Sequence, residues 1–143
     1  MGFKLDRVHV WAGDVEDRAG GAASVLSVLA QAGANLEYVY TRRQPIKPGT
    51  GMLLVAPITG PAQVRAARSV GLVEVHDPVV MRVEGDNQAG LAHRLTQHWA
   101  LAGITLQGLM MAVLANKFVG YVAFDRVEDA NHAAQILADL SSS

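Results

Sequence analysis

Asp86-Asn87-Gln88-Ala89-Gly90-Leu91 closes one extended apolar run and opens a helical one, and the motif occurs twice. Seventy residues earlier lies Asp17-Arg18-Ala19-Gly20-Gly21, so Gly20 corresponds to Gly90 and Asp17 to Asn87. The same offset carries Gly33 onto Gly103, Leu36 onto Leu106 and Glu37 onto Gln107. Several anchors at one spacing, each at the same point of its own hydrophobic pattern, indicate two copies of one supersecondary unit.

Outward from the two loops, the hydrophobic pattern supplies the elements. Residues 3–12 alternate as a strand with Leu5, Val8, Val10 and Ala12 inward, and residues 13–18 read as an acidic turn. Ala22, Val25, Leu26, Leu29 and Ala32 then share a helix face, which Gly33 ends as the residue after the cap. Residues 35–42 and 52–56 form a hairpin, Gly60-Pro61 opens a second helix with proline in its first turn, and residues 72–75 form a last strand. The order is β-α-β-β-α-β.

His76-Asp77-Pro78 is the junction, too short for a free linker. The second copy has a strand at residues 79–84 and a helix with Leu91, Leu95, Trp99 and Ala102 inward. A hairpin follows, of residues 106–114 and 118–124, and then a helix facing inward through Ala130, Ala133, Ala134, Leu137 and Leu140. The expected units are residues 1–76 and 77–143, the second lacking a fourth strand of its own. Its open sheet edge is left for another segment, such as the N-terminal residues, to complete.

The chain has 143 residues, 50% of them hydrophobic, and a net charge of -1, which suits one ordinary domain or two very small ones with a real core. Lys and Arg are scattered apart from Arg42-Arg43, so no basic stripe tracks phosphates and nucleic acid is excluded as a partner. The absence of cysteine removes disulfides and thiolate chemistry. No apolar run reaches the ~20 residues of a membrane span and the start has no signal-peptide core, so the expected setting is the cytoplasm.

Catalytic motifs are missing from the sequence. Gly49-Thr50-Gly51 precedes a strand and lacks the third glycine of a dinucleotide fingerprint. His93 and His98 are five apart and so lie on different helix faces, which leaves no metal pair. Arg42-Arg43 reads as a solvated pair and Trp99 as a core or interface residue. No cofactor is expected.

With these residues in view, the chain resembles ACT domains. That family shows a strand, a loop of the form Asp-x-Pro-Gly-x-Leu, an amphipathic helix ending in Gly-Ile-Asn-Ile, and a hairpin. Residues 86–106, with Asn87-Gln88-Ala89-Gly90-Leu91 and Gly103-Ile104-Thr105-Leu106, are similar to this pattern, and residues 17–36 are a weaker copy. Alanine stands for the family's proline at Ala19 and Ala89, and Asn87 for its aspartate. The resemblance implies an α+β fold of two tandem ferredoxin-like βαββαβ units, with antiparallel sheets and helices on one face. It also implies a non-catalytic regulatory protein whose effector is an amino acid, acting on a regulated enzyme or transcription factor. The ligand-binding residues it implies are Asp17, Arg18, Ala19, Gly20, Gly21 and Asn35 in the first copy. In the second they are Asp86, Asn87, Gln88, Ala89, Gly90, Leu91 and Thr105.

Physical chemistry gives the loop a reason to bind: free N–H groups at a helix N-terminus favour a carboxylate, and glycine lets it approach. Tyr38, Tyr40, Met110 and Met111 are candidates for side-chain selectivity. A plainer reading is a strand-to-helix turn capped by Asp17 or Asn87. The sequence also admits a ligand-free protein interaction module and, less favoured, a small metabolic enzyme. The second hairpin is apolar on both faces, which predicts a homodimer that covers it.

Overall fold

A computed structural model describes residues 2–141. It contains two four-stranded antiparallel sheets and four helices, in two compact units. The fold is α+β and each unit is ferredoxin-like.

The first unit, residues 9–76, contains β2 (Trp11–Glu16), α1 (Gly21–Gln31), β3 (Tyr38–Arg43), β4 (Thr50–Ala56), α2 (Gly60–Ser69) and β5 (Val73–Glu74). Its sheet order is β3-β4-β2-β5. Trp11, Val15, Leu53 and Val55 project from one face of the sheet and pack with Leu29, Ala67 and Leu72. Alternation along β2 and β4 therefore gives this sheet one buried face. Helix α1 ends in a Schellman motif, in which Gly33 N–H donates to the Ala30 carbonyl and Ala34 N–H to that of Leu29.

The second unit joins β1 (Lys4–Val8) to β6 (Val79–Asp86), α3 (Leu91–Leu101), β7 (Leu106–Leu114), β8 (Lys117–Phe124) and α4 (Val127–Ser141). Its order is β1-β6-β8-β7. Val79, Met81, Val83, Phe118, Val122 and Phe124 face Leu91, Leu95, Trp99, Ala130, Ala133 and Leu137. Trp99 is at the centre: its ring stands edge-on to Phe124 at 5.9 Å and its indole N–H donates to the Ala133 carbonyl at 3.3 Å.

Two expectations about the N-terminal segment need correction. Residues 3–12 are two strands in two different sheets, and the unit boundary at 76/77 assigns Lys4–Val8 to the wrong unit. β1 pairs antiparallel with β6 and stands where β5 stands in the first unit, so the second sheet has four strands. The register sets Lys4 opposite Glu84 and Asp6 opposite Arg82, opposite charges across each rung, with the Arg82 guanidinium 3.4 Å from Asp6. Phe3 extends the strand to the C-terminal helix: its ring meets Phe118 edge-on at 6.0 Å and its N–H donates to Ser141 Oγ.

The acidic turn expected at residues 13–18 also starts later, because β2 continues to Glu16. A Cβ at Gly13 would lie 2.7 Å from the Gly71 carbonyl oxygen, so this glycine permits close approach of backbone within the unit and does not mark a turn.

Candidate functional site

Each repeated loop delivers its helix in the same way. Gly20 (φ 83°, ψ -3°) and Gly90 (φ 78°, ψ 10°) are the N-caps of α1 and α3, both left-handed, and neither helix has a side-chain cap. This conformation is costly for residues with a Cβ, which is why glycine recurs at both. Asp17 and Asn87 therefore do not cap the helices, and the reading of each loop as a side-chain-capped turn is set aside. The first N–H of each helix, at Gly21 and Leu91, donates to the loop carbonyl of Arg18 or Gln88, while the N–H groups of the next two residues have no acceptor within the helix and are the ones a ligand can use.

Beside each loop the edge strand of the hairpin forms the opposite wall of a notch. In the first unit a concavity of 290 Å³ is lined by Val15, Glu16, Asp17, Arg18 and Ala22 on the loop side, and by Thr41, Arg42, Arg43 and Gly51 on the hairpin side. In the second a concavity of 330 Å³ is lined by Asn87, Gln88, Gly90, Leu91, Ala92 and His93 on the loop side, with Met111, Ala112, Val113 and Phe118 facing them. Thr41, Arg42 and Arg43 correspond to Met111, Ala112 and Val113 at the offset already seen in the loops. The two notches are one place in the repeat.

The strand registers fix the floor of each notch. The rung Val15–Gly51–Arg43 in the first unit matches Gly85–Phe118–Val113 in the second. Small and large residues have exchanged strands between copies. A Cβ at Gly85 would lie 2.8 Å from the Phe118 ring, so glycine there makes room for the aromatic floor.

Charge separates the two notches. Arg43 Nε donates to Asp17 Oδ2 at 2.6 Å, joining the hairpin edge to the loop, and this hydrogen bond pushes the Arg43 pKa up. Arg18 pairs with Glu16 beside it. The second notch has no Asp, Glu, Lys or Arg in its lining. In the second unit Lys117 holds the Asp86 carboxyl below its ordinary value through a hydrogen bond, and in the first unit Lys47, followed by Gln44, does the same for Asp14.

The structure thus gathers Asp17 and Arg18 in one notch and Asn87, Gln88, Gly90 and Leu91 in the other. Ala19, Gly20 and Ala89 belong to the loops but do not line a notch, and Asp86 is engaged by Lys117. Gly21 is buried against β2, since a Cβ there would lie 2.0 Å from the Glu16 carbonyl oxygen. Asn35 and Thr105 follow the C-terminal ends of α1 and α3, a helix length of about 16 Å from the loops, and are exposed. Of the four selectivity candidates only Met111 lines a notch; Tyr38, Tyr40 and Met110 do not.

Sequence reasoning missed the hairpin wall. It set Arg42-Arg43 aside as solvated charge and did not consider Val113 or Phe118 as site residues. The usable signal for Val113 was the offset itself, applied to the hairpins as well as to the loops; Phe118 falls outside it and is matched to Gly51 only by strand register.

A larger concavity of 580 Å³ lies around Gly2, Lys4, Gly85, Leu114 and Lys117 in the second unit and shares Phe118 with the second notch. Among the described residues no group of three or more His, Asp or Glu is placed to hold a metal ion. No helix among them is long and apolar enough to cross a membrane.

Among solved structures the chain is similar to the regulatory subunit of aspartate kinase from Thermus thermophilus. That match has TM-score 0.69 and 17% identity, and it covers 100% of this chain and 98% of that one. The chain has the tandem ACT-type fold. It is also similar to protein BT0572 from Bacteroides thetaiotaomicron, with TM-score 0.74 and 14% identity over 95% of this chain and 90% of that one. A third match is a putative C-terminal regulatory domain of aspartate kinase from Porphyromonas gingivalis, with TM-score 0.52 and 12% identity over 99% and 97% of the two chains. No protein-family model matches the sequence, and no curated protein does.

Proposed function

We propose that this chain is a non-catalytic regulatory protein of the cytoplasm that binds an amino acid in at least one of its two notches. The observation that carries this reading is the duplicated geometry, a left-handed glycine that opens a helix N-terminus onto a walled concavity. Backbone N–H groups there complement a carboxylate, and the adjoining hairpin wall contacts the rest of the ligand. The volumes of 290 and 330 Å³ stand at the small end of ligand sites, which suits a metabolite and not a nucleotide. The fold shared with aspartate kinase regulatory subunits supports a regulatory role, exerted on an enzyme or a transcription factor.

A homodimer belongs to the same proposal. β7 is the open edge of its sheet and exposes Leu109, Met110, Val113 and Leu114. Such an edge is covered by a second copy, which also gives a bound effector a means of changing assembly.

The direct test is thermal denaturation of the full chain with each of the twenty amino acids. A ligand at about 100 times Kd adds ~2.7 kcal/mol for one site, a shift of several degrees. No shift with any of them would defeat the proposal and leave association through the β7 edge as the reading to pursue.

A further inference from the structure

The two notches occupy one position in the repeat but present different chemistry to a ligand. In the first, the rung ends in Arg43, and its guanidinium is joined to Asp17 across the space between hairpin and loop. A ligand entering there must separate that pair or leave it standing as an obstruction. In the second, the equivalent rung ends in Val113, and Asn87 replaces Asp17, so no carboxylate–guanidinium pair spans the opening. The floor also differs, because buried Phe118 stands where the first unit has Gly51.

We infer that the notches have diverged: the one in the second unit selects an amino acid with an uncharged, apolar side chain, and the one in the first does not take that ligand. This rests on the amino-acid reading proposed above and narrows it to one copy and one ligand class. Leu91, Met111, Val113 and Phe118 surround the space beside the α3 N-terminus with apolar surface, and Met111 adapts its shape to different chains. A charged side chain placed against these four loses hydration and gains no partner from them, since the polar lining, Asn87, Gln88 and His93, is on the loop side. An apolar one is complementary. Asn87 and the helix N–H groups remain for the carboxylate and ammonium that every amino acid shares.

Titration calorimetry of the full chain with L-leucine, L-methionine and L-phenylalanine, against L-aspartate, L-glutamate, L-lysine and L-arginine, tests selectivity. Amide NMR spectra of the same mixtures locate the site. The expected result is one apolar ligand per chain, bound at least about tenfold more tightly than any charged one, with shifts at residues 87–93 and 111–113. Val113→Arg, which copies the first unit's rung, should weaken binding by about tenfold or more. Met111→Lys should do the same, and because it alters a different wall residue it stands in if the first variant does not fold. Amide spectra confirm which variant is folded. Preference for a charged amino acid, shifts confined to residues 17–22, or undiminished binding by a folded variant would each overturn this inference and leave amino-acid binding in place. Failure of every amino acid to bind would overturn both.

Discussion

Gly21 and Gly90 stand in neighbouring positions of the two copies, yet a methyl group would meet opposite circumstances at each. At Gly90 an added Cβ has nothing within 4 Å, so Gly90→Ala costs only the left-handed backbone, about 1–2 kcal/mol. At Gly21 the Cβ would lie 2.0 Å from a backbone oxygen of Glu16, and α1 must move off β2 to admit it. Overpacking of this kind costs ~1–3 kcal/mol even where flexible side chains can yield, and here the obstacle is backbone. Urea denaturation should therefore show a lower midpoint for Gly21→Ala than for Gly90→Ala; the reverse order would contradict the packing described. Asp86 gives a pH prediction at the same scale. Its pKa is held below 3.8 by Lys117, so the pair's contribution is present above the unfolded value and disappears as pH falls through the folded one. Both groups are exposed, which keeps that contribution small and salt-sensitive. In Lys117→Gln the Asp86 carboxyl should titrate closer to 3.8 by NMR, and an unchanged titration would show that Lys117 is not the cause.

Among the elements, β1 carries the clearest consequence. It is five residues long, yet it covers the open edge of β6, and Phe3 and Leu5 add to the core cluster beside it. Removing residues 2–8 exposes the β6 edge, which invites pairing with other chains. The truncated protein should melt several degrees lower and scatter light on warming, whereas a chain with Leu5→Val, which keeps strand and alternation, should stay close to the parent. Equal behaviour of the truncated and parent chains would show that the strand adds no stability. The last helix belongs to this arrangement. Ser141 accepts the Phe3 N–H and donates to the Leu137 carbonyl, so a truncation that includes Ser141 loosens the strand's entry as well.

For the molecule as a whole, association is the property most open to test. β7 has nine residues, about 30 Å of edge, and Met110 and Val113 are 45% and 54% exposed on its two faces. The first unit's corresponding edge, β3, ends in Thr41-Arg42-Arg43 and so carries charges that discourage pairing. Light scattering at micromolar concentration should give a dimer mass for the parent and a monomer mass for Leu109→Lys combined with Met110→Lys. A monomeric parent would defeat the dimer proposal. The same contrast separates what the two copies share from what they do not: the loops keep their glycines while the edge strands diverge.

The order of elements, the repeat and the two glycine-led loops were determined by the sequence itself, because each depends on neighbours in the chain. Helical spacing around Leu91, Leu95 and Trp99, alternation along residues 118–124 and the glycine after each first helix are local signals. The segment at residues 3–12 shows where local signals stop. A period of two reads the same whichever sheet accepts it, and Val8-His9-Val10 contains neither glycine nor proline to mark the passage between strands. Only the tertiary structure decided that Lys4–Val8 pairs with β6, since the free edge it fills is formed by residues more than seventy positions away. The walls of the notches were decided in the same way. Arg43 reaches Asp17, and Phe118 stands opposite Gly85, only once hairpin register and loop geometry are set together. Those contacts join residues far apart in sequence, and the free energy that selects them comes from burial and pairing that exist only in the folded sheet.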